Sequence, residues 1–216
     1  ALKTNGYNVA TPLMPWSVKR SYDVPYQEAI NELDEIVKQF RSKGLSRIYV
    51  MGTSFGANGS IAYAAYGKYP INGVIAIAPG HLVDTPDSFK LFGRSLYIAN
   101  DMIKDGKGEE VATFQDVNGG KRRDFSMKAS TYASYFDPNG MGSISLSSKK
   151  VTQQIPIAVL LGGSHDYSAS LGKGYFYNNW PAHPKNVYMT LEGAEHTNAP
   201  EFAIDTVLKW LSEQQK

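Results

Sequence analysis

Tyr49-Val50-Met51-Gly52-Thr53-Ser54-Phe55-Gly56-Ala57-Asn58 is the stretch around which the rest of the chain is organised. A β-rich run, Arg47 to Met51, leads into Gly52-Thr53-Ser54-Phe55-Gly56, and small residues dominate from Ala57 to Tyr66. That order predicts a strand, a tight turn and a helix. In such a setting the G-x-S-x-G pattern lifts a serine hydroxyl above the sheet edge on a strained turn. Gly52 and Gly56 are expected to remove side chains that would collide there. The helix starting just after Ser54 points its first N–H groups at any negative charge developing nearby. A serine between glycines is also an ordinary turn residue, and the flanking strand and helix are what favour a nucleophile elbow.

Outward from the elbow, strands and helices alternate. Ala1 to Asn5 reads as the tail of a helix closed by Gly6, followed by a strand over Tyr7-Asn8-Val9-Ala10. Pro12 and Pro15 make Thr11 to Ser17 a loop. Tyr26 to Lys43 carries apolar residues at 29, 30, 33, 36, 37 and 40, the spacing of a helix with one buried face, with Pro25 and Glu28 at its start and Gly44 at its end. Gly73 to Ala78 and Ile155 to Leu161 are continuous apolar runs that suit parallel strands covered on both faces. Asn186 to Leu191 predicts one more strand, and Ala199 to Glu213 a final helix. The expected fold is α/β, a mainly parallel sheet with helices on both faces and a site at the carboxyl ends of the strands.

Composition narrows the chemistry. At 216 residues, with 42% hydrophobic and 19% charged residues, the chain suits one domain, 1–216. A formal charge of +2 gives no argument for nucleic acid. The densest basic cluster, Lys121-Arg122-Arg123, runs straight into Asp124 and reads as a solvated surface turn. No apolar run reaches the length of a membrane span. With no cysteine, disulfides, thiolate nucleophiles and cysteine-bound metals are all excluded. Lack of thiols suits an oxidising compartment without requiring it, so the expectation leans to a secreted or periplasmic setting. His81, His165, His183 and His196 show no metal-ligand spacing, so neither a metal nor another cofactor is expected.

A serine nucleophile needs a base, and the base needs an acid to orient it. His196 lies in the loop after the last strand, and Asp166 in Gly162-Gly163-Ser164-His165-Asp166 past the strand ending at Leu161. If the strands are parallel, both loops open at the edge where the elbow stands. His165 is the next candidate base, but it adjoins Asp166 and is poorly placed to donate an orienting hydrogen bond to that carboxylate; Glu195 is similarly disfavoured beside His196. Met14, Trp16 and Phe55, near predicted strand ends, suit an acyl or aryl group, though such residues are as often plain packing. His81, just past the strand ending at Ala78, is a candidate for lining the pocket or for a structural role. Asp137, in Phe136-Asp137-Pro138-Asn139-Gly140, reads as a turn residue.

Over nearly its whole length the chain resembles the α/β-hydrolase family, in which the order is Ser, then Asp or Glu, then His; here it is Ser54, Asp166, His196. The resemblance implies that Ser54 attacks a carbonyl, that His196 is general base and then acid, and that Asp166 holds the imidazole. It implies too that the Phe55 backbone N–H helps to form the oxyanion hole. Family members carry earlier strands and a loop supplying a second oxyanion N–H, and the chain has no counterpart to these ahead of Ala1. An upstream segment completing the sheet is therefore expected. Function reads as cleavage of a carboxylic ester, a small-molecule acyl substrate, through an acyl-serine. An amidase, peptidase or acyltransferase would use the same triad, and a non-catalytic binding module on the same fold is the alternative of another class. Haloalkane or epoxide chemistry is disfavoured, since it wants a carboxylate where Ser54 stands.

Between Pro79 and Gln154 lies a connection of roughly seventy residues, far longer than an ordinary loop. A helical cap over the site, 83–148, is the expected explanation. Ser88 to Lys104 and Met127 to Phe136 are its candidate helices, separated by turns at Gly106, Gly108, Gly119 and Gly120.

Overall fold

The structure of the protein, a computed structural model, describes residues 1–118, 121–163 and 166–214. In chain order its elements are α1 (Tyr26–Ser42), β1 (Tyr49–Ser54), α2 (Phe55–Tyr66), β2 (Gly73–Pro79), α3 (Pro86–Lys104), β3 (Val111–Asn118), β4 (Lys121–Lys128), α4 (Ala129–Phe136), α5 (Ile144–Lys150), β5 (Ile157–Leu161), α6 (Tyr167–Ser170), β6 (Val187–Thr190) and α7 (Ala199–Glu213). Strands β1, β2, β5 and β6 pair in that order, all parallel. Among the described residues no helix is long and apolar enough to cross a membrane.

Every residue of β2 and β5 is buried, as their unbroken apolar runs require. Their alternate side chains enter two different cores, because successive residues of a strand point to opposite faces. Val74, Ala76, Ile157, Val159 and Leu161 join Ile30, Val37, Ile61 and Tyr63 of α1 and α2. Ile75, Ile77, Ala158 and Leu160 pack instead against Ala203, Val207, Trp210 and Leu211 of α7. Helices thus cover both faces. Small residues let α2 sink between its neighbours, with an unbroken buried run from Ala57 to Ala64.

Two expectations near the amino end fare differently. Lys3–Asn5 forms a short 3-10 helix capped by Gly6 at φ 84°. Tyr7 to Ala10, however, is not a strand, and Tyr7 packs on the α7 side of the sheet. Among the described residues β1 is the outer strand on one flank of the sheet, with only β2 paired to it.

The insertion after β2 contains the two expected helices, α3 and α4, but is not purely helical. Between them lies an antiparallel hairpin, β3 and β4, with Phe114 opposite Phe125 and Asp116 opposite Arg123. Lys121, Arg122 and Arg123 are exposed strand residues of β4, not a turn; Gly119 and Gly120, assigned to a turn from sequence, lie outside the described residues. Asp137 does cap a turn, accepting from the Asn139 N–H through its side chain and from the Gly140 N–H through its carbonyl. The insertion also shares the principal core. Tyr132, with its ring stacked between Phe114 at 4.6 Å and Phe136 at 4.4 Å, lies in the same buried cluster as Phe55 and Ile61.

Candidate active site

Ser54 closes β1 and opens α2, with φ 54° and ψ −122°, a conformation L-residues avoid unless their surroundings force it. The force is visible in the ladder, where the register slips between Thr53 and Ser54 so that Ser54 lies opposite Pro79. Gly52 makes the turn possible: a Cβ there would lie 2.0 Å from the Gly56 carbonyl oxygen. Gly56 itself has open space where its Cβ would be, so of the two glycines only Gly52 answers a collision.

The loops beyond β5 and β6 bring their side chains to this hydroxyl. Ser54 Oγ lies 2.9 Å from His196 Nε2, and His196 Nδ1 lies 2.9 Å from Asp166 Oδ2. Asp166 caps α6, accepting through Oδ1 from the Ser168 N–H at 3.0 Å and its hydroxyl at 2.9 Å. Burial alone would raise the Asp166 carboxyl, but the bonds from His196 and Ser168 outweigh it and hold the group below the usual carboxylate range. Asp166 is closed off from solvent while the His196 side chain is 38% exposed, so the row is sealed at its acid end and open at its middle. Such an arrangement can draw a proton from the serine and hold the resulting imidazolium in place.

Phe55 is buried directly after the serine, and its backbone N–H belongs to the first turn of α2, where amides have no partner within the helix. Trp16 lies against it, ring centroids 5.3 Å apart, and presses so close to α2 that a Cβ on Gly59 would lie 2.6 Å from the indole. Met14 is half-buried, its carbonyl accepting from the Ser17 N–H. His81 sits beside the row rather than in it, with its side chain 9% exposed and Nε2 2.9 Å from Asp116 Oδ1. His165 lies outside the described residues, and Glu195 is exposed, its N–H donating to Asn198 Oδ1.

Three side chains near the row escaped the sequence reading. Asp116 reaches in from β3, Tyr22 donates its hydroxyl to Asp116 Oδ2 at 2.8 Å, and Asn58, one turn beyond Ser54 on α2, donates to the Gly80 carbonyl at 2.6 Å. Only Asn58 carried a signal, a polar residue inside a run of small apolar ones. Two shallow clefts lie elsewhere, one of about 390 Å³ beside Tyr26, Ile103 and Ser134 and one of about 400 Å³ beside Arg47, Asn72 and Lys185.

No protein-family model matches the chain, and no curated protein matches its sequence. Solved structures do match. The monoacylglycerol lipase of Paleococcus ferrophilus superposes with a TM-score of 0.61 at 18% identity, over 90% of this chain and 77% of that one. A soluble variant of monoglyceride lipase from Saccharomyces cerevisiae, in complex with a substrate analogue, gives 0.61 at 14% identity, over 88% and 70%. MenH from S. aureus gives 0.55 at 16% identity, over 89% and 77%. With its parallel sheet, its helices on both faces and these likenesses, the chain has the α/β-hydrolase fold.

Proposed function

We propose that the protein is a serine hydrolase that cleaves a carboxylic ester through an acyl-serine intermediate. The observation that carries this is the row from Ser54 Oγ through His196 to Asp166, two contacts of 2.9 Å ending on a buried carboxylate. Esters are the choice within acyl transfer because monoacylglycerol lipases and the esterase Est1E from Butyrivibrio proteoclasticus are among the structural neighbours.

In the proposed reaction Ser54 Oγ attacks the ester carbonyl carbon as His196 Nε2 takes the hydroxyl proton. The carbonyl π pair moves onto oxygen, where the Phe55 N–H and the positive end of α2 offset the new charge. Collapse of this adduct breaks the bond to the alkoxy group, which leaves as an alcohol with the proton from His196. Water then loses a proton to the same nitrogen and attacks the acyl-serine. The second collapse releases the acid and returns the proton to Ser54. Asp166 stays ionised throughout and keeps the Nδ1 proton in place.

A fluorophosphonate probe tests the nucleophile. Labelling is expected in the wild-type protein and is expected to vanish in Ser54→Ala, along with hydrolysis of p-nitrophenyl esters. A folded wild-type protein that neither takes the probe nor turns over esters would reject the proposal in favour of a binding module.

A further inference from the structure

The chain leaving β2 is held in an unusual shape beside the row. Within four residues it has two non-glycine residues in the left-handed region, Ala78 at φ 42° and His81 at φ 49°, and such residues persist only where their surroundings over-determine them. Gly80, between them, faces the reacting atoms. A Cβ on Gly80 would lie 2.6 Å from Ser54 Oγ and 3.2 Å from His196 Cε1. A shift of this turn therefore moves a wall against which any ester at Ser54 must fit.

Two clamps converge on the turn. From α2, buried Asn58 donates through Nδ2 to the Gly80 carbonyl at 2.6 Å and to the His81 carbonyl at 3.2 Å. From the hairpin, Asp116 holds the His81 imidazole at 2.9 Å, while its carboxylate also accepts from the Tyr22 hydroxyl at 2.8 Å and the Val117 N–H at 2.6 Å. Asp116 is 1% exposed. Burial alone would raise its carboxyl, yet the hydrogen bond with His81, and those from Tyr22 and Val117, hold it below the usual range. A carboxylate is an expensive occupant of an apolar core, even when hydrogen bonds satisfy it. Stability alone gives a weak reason for aspartate here; fixing a position gives a better one.

We propose, on the reading of Ser54 as an acyl-transfer nucleophile, that His81 and Asp116 are a positioning pair for the reaction. The hairpin's carboxylate grips the His81 imidazole and so sets the Gly80 turn against Ser54 and His196. Neither residue touches the reacting atoms; both act through the backbone at Gly80.

The test compares His81→Ala, Asp116→Ala and the double variant with His81→Gln and Asp116→Asn, which retain hydrogen-bonding groups of similar reach. Turnover is counted per fluorophosphonate-labelled Ser54, well below each variant's melting temperature, so that loss of folded protein does not enter. A small displacement near reacting atoms costs about ten- to a hundredfold in rate, so either alanine variant is expected to lose at least tenfold in kcat with KM changed less. The double variant is expected to be no worse than the poorer single one, since both changes break the same clamp. His81→Gln is expected to recover most of the loss. Wild-type kcat per labelled site in both alanine variants, or losses that simply multiply, would overturn the proposal.

Amide hydrogen exchange over 78–82 supplies a readout that needs no turnover. It is expected to quicken in His81→Ala and to return toward wild type in His81→Gln, and unchanged exchange would overturn the pair's role. A wild-type protein that takes no probe would reject the hydrolase reading instead, leaving the exchange result to decide whether the pair sets the turn.

Discussion

The four-stranded sheet and the hairpin of the insertion obey the same period-two geometry, yet they are written in different residues. In β2 and β5 both faces are covered, so every position is apolar and each strand stands out as an unbroken run. In β3 the inward positions include Phe114 and Asp116, whereas Val111 at its start is 66% exposed. β4 begins Lys121-Arg122-Arg123-Asp124, all exposed. These two central strands are held by solvent exclusion on both faces. The hairpin adds to its apolar contacts one buried carboxylate and the groups that satisfy it, so changes in the two regions are expected to fail in different ways.

The sharpest separation of the two comes from the row on the sheet. Asp166→Asn preserves shape but favours the wrong imidazole tautomer, and is expected to lower kcat by roughly 10⁴-fold with a much smaller change in melting temperature. Steady-state kinetics beside a thermal melt checks it; unchanged turnover would remove Asp166 from the mechanism.

Next in size is the aromatic stack that joins the insertion to the main core. Tyr132 is fully buried between Phe114 and Phe136 and donates its hydroxyl to the Gln115 carbonyl at 2.8 Å. Tyr132→Ala is expected to cost about 3–5 kcal/mol, the range for removing a large buried aromatic ring. Urea unfolding measures it. A single transition at a lower midpoint is expected, because the insertion and sheet share one buried cluster; two separated transitions would show that the insertion unfolds on its own.

The smallest effect is acid sensitivity, and its sign follows from the carboxylates. Asp116 and Asp166 both lie below the ordinary value of 3.8 in the folded protein. Each therefore contributes stability that is fully present above the unfolded value and lost as the pH falls through the lower folded one. Midpoints of unfolding should drop below about pH 4, and the slope should be shallower in Asp116→Asn. An unaltered slope in that variant would show that Asp116 is not held below its ordinary value.

The same contrast explains what could be read in advance. The strand and helix flanking Ser54, the placement of Ser54, Asp166 and His196 beside one another, and the helix Ala199–Glu213 were legible because strand and helix patterns there were strong. The hairpin was not, because Asp116 occupies an inward slot where a strand pattern calls for an apolar residue, and its partners His81 and Tyr22 are 35 and 94 positions away in the chain. Tyr7 to Ala10 misled in the opposite sense, with the residues of a strand but no place in the strand order.

Sheet order has one more consequence. Ser54 ends β1 at one border of the four strands, while His196 follows β6 at the other, with β2 and β5 between. Their roots are separated by three strand spacings, roughly 14 Å, yet Ser54 Oγ and His196 Nε2 meet at 2.9 Å. The sheet is therefore the gauge block of this protein: any fan-like opening or change in its twist is summed across three interfaces before it reaches the gap between hydroxyl and imidazole. Buried residues such as Val74, Ala76, Ile157 and Val159 thereby set a machining tolerance for the distance between Ser54 and His196.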